Sequence, residues 1–489
     1  MAKRNGGIIG PDNVPAGPLG AAGGVWRLED AFNYQKAGTW PLVLGYQIPN
    51  STRFNHNSSD YLNRTPASAG NRRTFTFSFW TKRSKDNSSY PVLFDNGADT
   101  NNRDSFFFNE GATDGILQFY CLSGGSGFMD LATNQSFRDF SAWYHIVLAV
   151  DTTQATASNR VKLYVNGSQV TAFQTAVYPS QNTDMNTNST NPFRVGGSNS
   201  TTFYYDGYLS DYYFIDGQAL TPSSFGQTDS TTGIWTPIAY TGTYGTNGFY
   251  LKFANSSSLG TDSSGNGNNF TVNNLTSIDQ SYDSPTNNFA TLNPLDINAM
   301  TLTEGNLASA SVGATWKSAR ATFGISKGKW YWEMKATASA SSYDAQIGVG
   351  LFSLAIASYP EWNNANPSVV YSAGDGSKWL NGVNSSYGAS YTVGDIIGVA
   401  FDADNLTVTF YKNGTSQGTI TTSWSVDTYA IQVAFYGRSG GTTSGSFNFG
   451  YPPFTISSGN ADANGFGNFE YAVPSGYYAL CSKNLALYG

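Results

Sequence analysis

The sequence predicts an all-β chain of two antiparallel β-sandwiches in tandem, behind an irregular N-terminal segment. Three observations predict it. One hairpin design occurs twice, around 145–167 and around 396–414; period-two strands recur between and after them; and helical periodicity is confined to 28–36. Strict alternation marks half-buried strands, whereas a 3.6-residue period marks helices.

The hairpins carry the argument for two domains. His145-Ile146-Val147-Leu148-Ala149-Val150 runs into Asp151, and Arg160 to Val165 then meets Asn166-Gly167. Ile396 to Phe401 runs into Asp402, and Thr407 to Lys412 meets Asn413-Gly414. Each is an apolar strand, an Asp-led turn, an alternating strand and a Tyr-x-Asn-Gly tip. Asn-Gly suits a type I′ turn, whose two central residues both need positive φ.

Residues 1–45 are dense in Gly and Pro, as in Gly6-Gly7-Ile8-Ile9-Gly10-Pro11, and predict an irregular anchoring segment with one short helix from Leu28 to Lys36. The first sandwich, 46–285, is signalled by Thr74-Phe75-Thr76-Phe77-Ser78-Phe79-Trp80, by Trp143 to Val150, by Gly207 to Ile215 and by Phe249 to Phe253. Asp262 to Pro285 is rich in Asn, Ser and Gly and predicts a polar connector. The second sandwich, 286–489, follows with Gly328 to Met334, Ala345 to Leu351, Tyr429 to Tyr436 and Ser446 to Phe449. Its last thirty or so residues add edge strands or fold back onto a neighbour.

Composition excludes several functions. Charged residues are 12% of the chain, against roughly 25% in ordinary soluble proteins, and aromatic residues reach 15%. Net charge is −7 with no basic cluster beyond pairs such as Arg72-Arg73, so nucleic acid is not an expected partner. No run is long and apolar enough for a membrane-spanning helix, and the first residues lack the apolar core of a secretory leader. An exterior of neutral amides and hydroxyls without an export signal predicts a virion protein, made in a host cytoplasm and released by lysis. Cys121 and Cys481 are expected as buried free thiols.

Several stretches resemble known families. Phe75 to Trp80, Trp143 to Val147, Leu163 to Gly167 and Asp206-Gly207-Tyr208-Leu209-Ser210-Asp211 resemble the laminin-G-like, concanavalin A-like jelly-roll family. Gly328 to Glu333, Ile397 to Asp402, Phe410 to Gly414 and Phe447-Asn448-Phe449-Gly450 resemble the SPRY family. Asp216 to Pro222, Gly242 to Leu251 and Asp283 to Thr291 resemble segments of tail-fibre-like virion proteins of aquatic bacteriophages. The resemblance implies two tandem jelly-roll sandwiches and a structural or adhesive role on a phage particle.

Chemistry is weakly represented. Glucanases of the jelly-roll family need two carboxylates about 5–9 Å apart, and strands present them at i and i+2 or i+4. The six Glu residues (Glu29, Glu110, Glu304, Glu333, Glu361, Glu470) show no such strand pairing, so a glycoside hydrolase is disfavoured. His145 lies within a strand, as a packed residue would, and no Gly-x-Ser-x-Gly elbow occurs. Calcium is a candidate ligand of Asp95 and Asp99 in one turn, or of Asp262 and Asn266 in a second, the alternative being Asx turns that bond their own backbone. For a glycan, Trp362 with Asn363 and Asn364, Trp379 with Asp375, and Tyr204 with Tyr205 offer aromatic faces beside polar loop residues.

The sequence therefore predicts a non-enzymatic phage virion protein, a tail fibre or appendage. The N-terminal segment would join other virion proteins, the loops would contact host surface polysaccharide or receptor, and copies would form a homo-oligomer. Capsid decoration and a cellular or secreted lectin are the alternatives.

Overall fold

The computed structural model describes residues 45–84, 90–110, 115–199, 202–230, 232–339, 343–353, 367–425, 427–437 and 441–489. The expected helix at 28–36 lies outside them. Strands make up 49% of the structure, in antiparallel sheets of jelly-roll type.

The first sandwich packs two sheets face to face. One runs in the order Ser168–Gln169, Val161–Val165, Trp143–Asp151, Thr74–Arg83, Gly207–Asp216, Ser51–Phe54 and Gln280–Ser281. The other runs Phe173–Val177, Ser126–Ser136, Ile116–Ser123, Asn102–Asn109, Val92–Asp99, Phe193–Val195, Tyr61–Arg64 and Thr271–Asn273. Phenylalanines fill the space between, with Phe77 stacked on Phe94 at 4.2 Å between ring centroids. The expected connector is part of this sandwich: Thr271–Asn273 and Gln280–Ser281 each close a sheet edge. Its polarity is that of edge strands, whose outer side meets water.

In the second sandwich, one sheet runs Leu292–Asn298, Trp316–Ile325, Tyr429–Tyr436, Ala345–Leu351, Ser368–Ser372, Ser377–Leu380 and Val383–Ser386. The facing sheet runs Thr301–Thr303, Ala308–Val312, Thr442–Asn448, Lys329–Ala338, Ile396–Asp402, Thr407–Lys412 and Thr415–Thr421. Trp330 and Trp332 lie fully buried between them. The C-terminal residues fold back onto their own domain. Tyr478–Ala479 pairs in parallel with Lys329–Ala338, and a helix, Ser482–Tyr488, follows where no helix was expected. One helix of seven residues is too short to display a clear period.

Both hairpin tips form as their residues require. Asn166 and Gly167 have φ of 47° and 81°, and Asn413 and Gly414 have 48° and 77°. In each tip the Asn side chain also accepts an N–H from the neighbouring strand, His145 N to Asn166 Oδ1 and Ile396 N to Asn413 Oδ1, both at 2.8 Å. A Cβ on Gly167 would strike the Trp235 ring, and one on Gly414 the Tyr471 ring. His145 is a packed residue. Its Nδ1 accepts the Trp235 indole N–H and its Nε2 meets Ser78 Oγ, each at 2.9 Å. Burial pushes it down to about 3, so the ring is neutral.

The two sandwiches meet through a polar knot. Asp283, fully buried, accepts Lys82 Nζ at 2.8 Å, the Trp143 indole N–H at 3.1 Å, Tyr451 OH at 3.1 Å and Phe289 N at 3.2 Å. Trp143 is half-buried at this seam. Beside it, Tyr208 OH donates to Gly305 O at 2.8 Å, and buried Arg53 lies between Asp279 at 3.0 Å and Glu304 at 3.5 Å. Glu304, Gly305 and Asn306 all have positive φ, forming a tight tip that carries the second sandwich onto the first.

Candidate functional site

Among the described residues, a groove shaped to hold a ligand lies on the outer face of the first sandwich's second sheet. Its volume is about 460 Å³. Residues i, i+2 and i+4 of a strand share one face, so Arg103, Ser105, Phe107 and Asn109 of Asn102–Asn109 all point into it, while Phe106 and Phe108 enter the core. Gln118 and Tyr120 come from the next strand and Asp130 from the one beyond.

Strand register aligns the polar members into a row. Arg194 lies opposite Asp95, Asp95 opposite Ser105, Ser105 opposite Tyr120, and Tyr120 opposite Asp130. A second chain of contacts braces one end: Asn109 Nδ2 donates to Gln118 Oε1 at 3.0 Å, and Gln118 Nε2 to Asp130 Oδ1 at 2.7 Å. Tyr90 forms an aromatic wall with Phe107 and Phe203, its ring edge-on to each at 5.5 and 5.1 Å between centroids. Ser105 Oγ is buried on the floor without a hydrogen-bond partner. Burial raises the Asp130 carboxyl above its usual range, and the Gln118 amide only partly offsets this.

Two carboxylates serve this face, Asp95 and Asp130. Three strand spacings separate them, about 14 Å at the usual interstrand distance. Glycoside hydrolysis needs roughly 5–9.5 Å between its two carboxyls. These two groups do not form a hydrolytic pair.

The residues expected from sequence fall elsewhere. Trp362, Asn363 and Asn364 lie outside the described residues. Trp379 is not in a loop: it sits half-buried in Ser377–Leu380, opposite Val370 and Asn384. Asp375 is exposed and closes its own turn, accepting Ser377 N at 3.0 Å. Tyr205 is fully buried, its hydroxyl 2.5 Å from Thr81 Oγ1, which removes it as a ligand contact. Tyr204 is half-buried against Tyr61. Their neighbour Phe203 is the residue of that loop that lines the groove.

At both calcium candidates, carboxylate oxygens already accept hydrogen bonds from the chain. Asp95 lies in the strand Val92–Asp99, fully buried, with Oδ2 accepting Ser198 Oγ at 2.6 Å and Asn199 N at 3.1 Å. Asp99 accepts the N–H groups of Asn101 and Asn102. Asp262 spends both oxygens on Tyr250 N, Ser264 N, Ser264 Oγ and Asn268 N, all within 2.9 Å. Asn266 Nδ2 donates to Gly245 O and Gly248 O. The Asn101 N contact to Asp99 and the Ser264 N contact to Asp262 are local Asx turns, whereas Asp95 and Asn266 bond segments distant in sequence. Among the described residues no three His, Cys, Asp or Glu side chains gather as a metal site.

Sequence reasoning missed the groove because Arg, Ser, Asn, Gln and Asp at outward positions also describe an ordinary wet sheet face. The one available signal was Phe107 and Tyr120 recurring at those positions.

Residues 56–224, which include every residue lining the groove, match the concanavalin A-like lectin/glucanases superfamily. Residues 329–451 match the SPRY domain. Among solved structures, the SPRY domain of human HERC1 is similar at 18% identity, covering 32% of this chain and 96% of that one, with a TM-score of 0.29. A human SPRY domain is similar at 15% identity over 31% of this chain and 95% of its own, with a TM-score of 0.25. Stonustoxin is similar at 19% identity over 32% of this chain and 27% of its own, with a TM-score of 0.26. No curated protein matches the chain. Domains of these two kinds are typically binding or interaction modules and suggest a binding or structural role.

Proposed function

We propose that this chain is a non-catalytic recognition protein of a bacteriophage particle, a tail fibre or similar appendage whose first sandwich holds a host-surface glycan in its outer groove. The observation that carries the reading is the cross-strand row from Asp95 through Ser105 and Tyr120 to Asp130, walled by Tyr90, Phe107 and Phe203. Sugars present apolar faces to aromatic rings and hydroxyls to amides and carboxylates, and the groove supplies both. The match of this segment to a superfamily named for lectins and glucanases supports a sugar. The separation of its two carboxylates favours binding over cleavage.

The particle assignment is supported by the charge-poor, aromatic-rich composition and by the phrases shared with phage tail-fibre-like proteins. Residues 1–45 attach the chain to other virion proteins, and several copies on one appendage multiply weak sugar contacts. Gold-tagged antibody against the second sandwich, imaged on purified particles, tests the placement. Gold at the tail or its fibres is expected. Gold over the head would make the chain a decoration protein, and unlabelled particles would overturn the reading.

A further inference from the structure

The charges that line the groove are not equally compensated. Arg103 lies 4.0 Å from Asp95 Oδ2, and Asp95 also faces Arg194 across the ladder, so that end of the row contains its own counter-charges. Arg194 itself stacks on Tyr61, 4.2 Å from the ring centroid, and is not part of the groove lining. At the other end, Asp130 receives a single neutral donor, the Gln118 amide, on Oδ1. No hydrogen bond of the chain reaches its Oδ2, and Asp130 lines the groove. Burial raises the Asp130 carboxyl, and no charged neighbour contributes to that shift. Two strands away in the same row, the buried Ser105 Oγ also lacks a partner. A chain lying across the strands would pass over both.

We propose that the groove takes an oligosaccharide carrying a free amine, seated with its ammonium on Asp130 Oδ2 and a hydroxyl on Ser105 Oγ. This rests on the reading of the groove as a sugar site and adds the class of sugar. An ammonium brings a charge and up to three donors to an oxygen that has none, which a neutral hydroxyl matches only in part. A uronate would place a second carboxylate against Asp130 and be repelled.

The test is calorimetric titration of the full chain and of D130N with three tetramers: β-1,4-linked glucosamine, β-1,4-linked glucose and mannuronate. Asn keeps the shape and the Gln118 contact while removing the charge. Wild type is expected to bind the glucosamine tetramer about tenfold tighter than the glucose tetramer, the worth of one partly desolvated charged hydrogen bond. That preference should shrink as salt rises. D130N should lose the preference and bind the two tetramers equally, which a merely structural role for Asp130 would not produce. Equal binding of glucosamine and glucose by wild type, or tighter binding of mannuronate, would overturn the amine proposal and leave the groove as a sugar site. Binding of none of the three would overturn the groove reading and the amine proposal with it.

Discussion

Replacing Asp283 with alanine is expected to destabilise the chain by about 3–5 kcal/mol, the usual cost of leaving one partner of a buried ion pair alone. Lys82 and Asp283 have side chains 1% and 0% exposed. Without the carboxylate, the hydrogen-bond acceptors left to the Lys82 ammonium are Asn288 Oδ1 at 2.8 Å and the Phe289 carbonyl at 3.1 Å, both neutral. The Trp143 indole and the Tyr451 hydroxyl lose an acceptor together. Because Tyr451 and Phe289 belong to the second sandwich and Lys82 and Trp143 to the first, the loss falls on the seam. Urea unfolding of D283A should show a lower midpoint with a similar slope. The pair K82M/D283L, which removes both charges, should recover most of the loss. A D283A loss below about 1 kcal/mol would mean that the knot is not buried as described.

The second large effect concerns pH. Asp60 is pushed up to about 7, first by burial and then by the carboxylates of Asp279 and Glu304, against the Asn55 N–H and Arg53. Its Oδ1 is buried without a partner. The folded chain therefore holds this proton more tightly than the unfolded chain, whose Asp titrates near 4. The resulting stability is full below about pH 4 and is lost as pH rises through about 7, a span worth at most about 4 kcal/mol. His145 acts in the opposite sense. Held neutral down to about 3, it contributes stability above an unfolded value near 6.5 that is lost as pH falls. Wild type alone thus shows a flattened profile, and the difference from D60N isolates Asp60. D60N should gain on wild type steadily between about pH 4 and 7 and be the more stable protein at pH 8, its amide donating where a charge was repelled. A difference that does not change with pH would contradict the shift.

Much of the fold is legible in the sequence because its signals are local. Asn-Gly at two hairpin tips, the alternation in Thr74 to Trp80 and the apolar run at 145–150 each specify backbone over a few residues. His145 follows from the same strand pattern, and the two buried free cysteines from their distant places in different domains. The groove is different in kind. Ser105, Tyr120 and Asp130 become neighbours only through the register of three strands, and Asp95 and Phe203 join them from other parts of the chain. No window of sequence contains that row. Tyr205 shows the limit at its finest: two residues from Phe203 in an aromatic loop, it is wholly buried while Phe203 lines the groove. The Asp262 turn shows a related limit. Its oxygens look available in sequence, but the backbone N–H groups of Tyr250 and Asn268 reach them only in the fold.

A crystal structure of the full chain soaked with a tetrasaccharide tests the central claim most directly. The account predicts an intact sugar lying across Asn102–Asn109, Ile116–Ser123 and Ser126–Ser136, between Ser105 and Asp130 and against Phe107. A sugar seated instead beside Trp379 on the second sandwich, or one found cleaved, would contradict it.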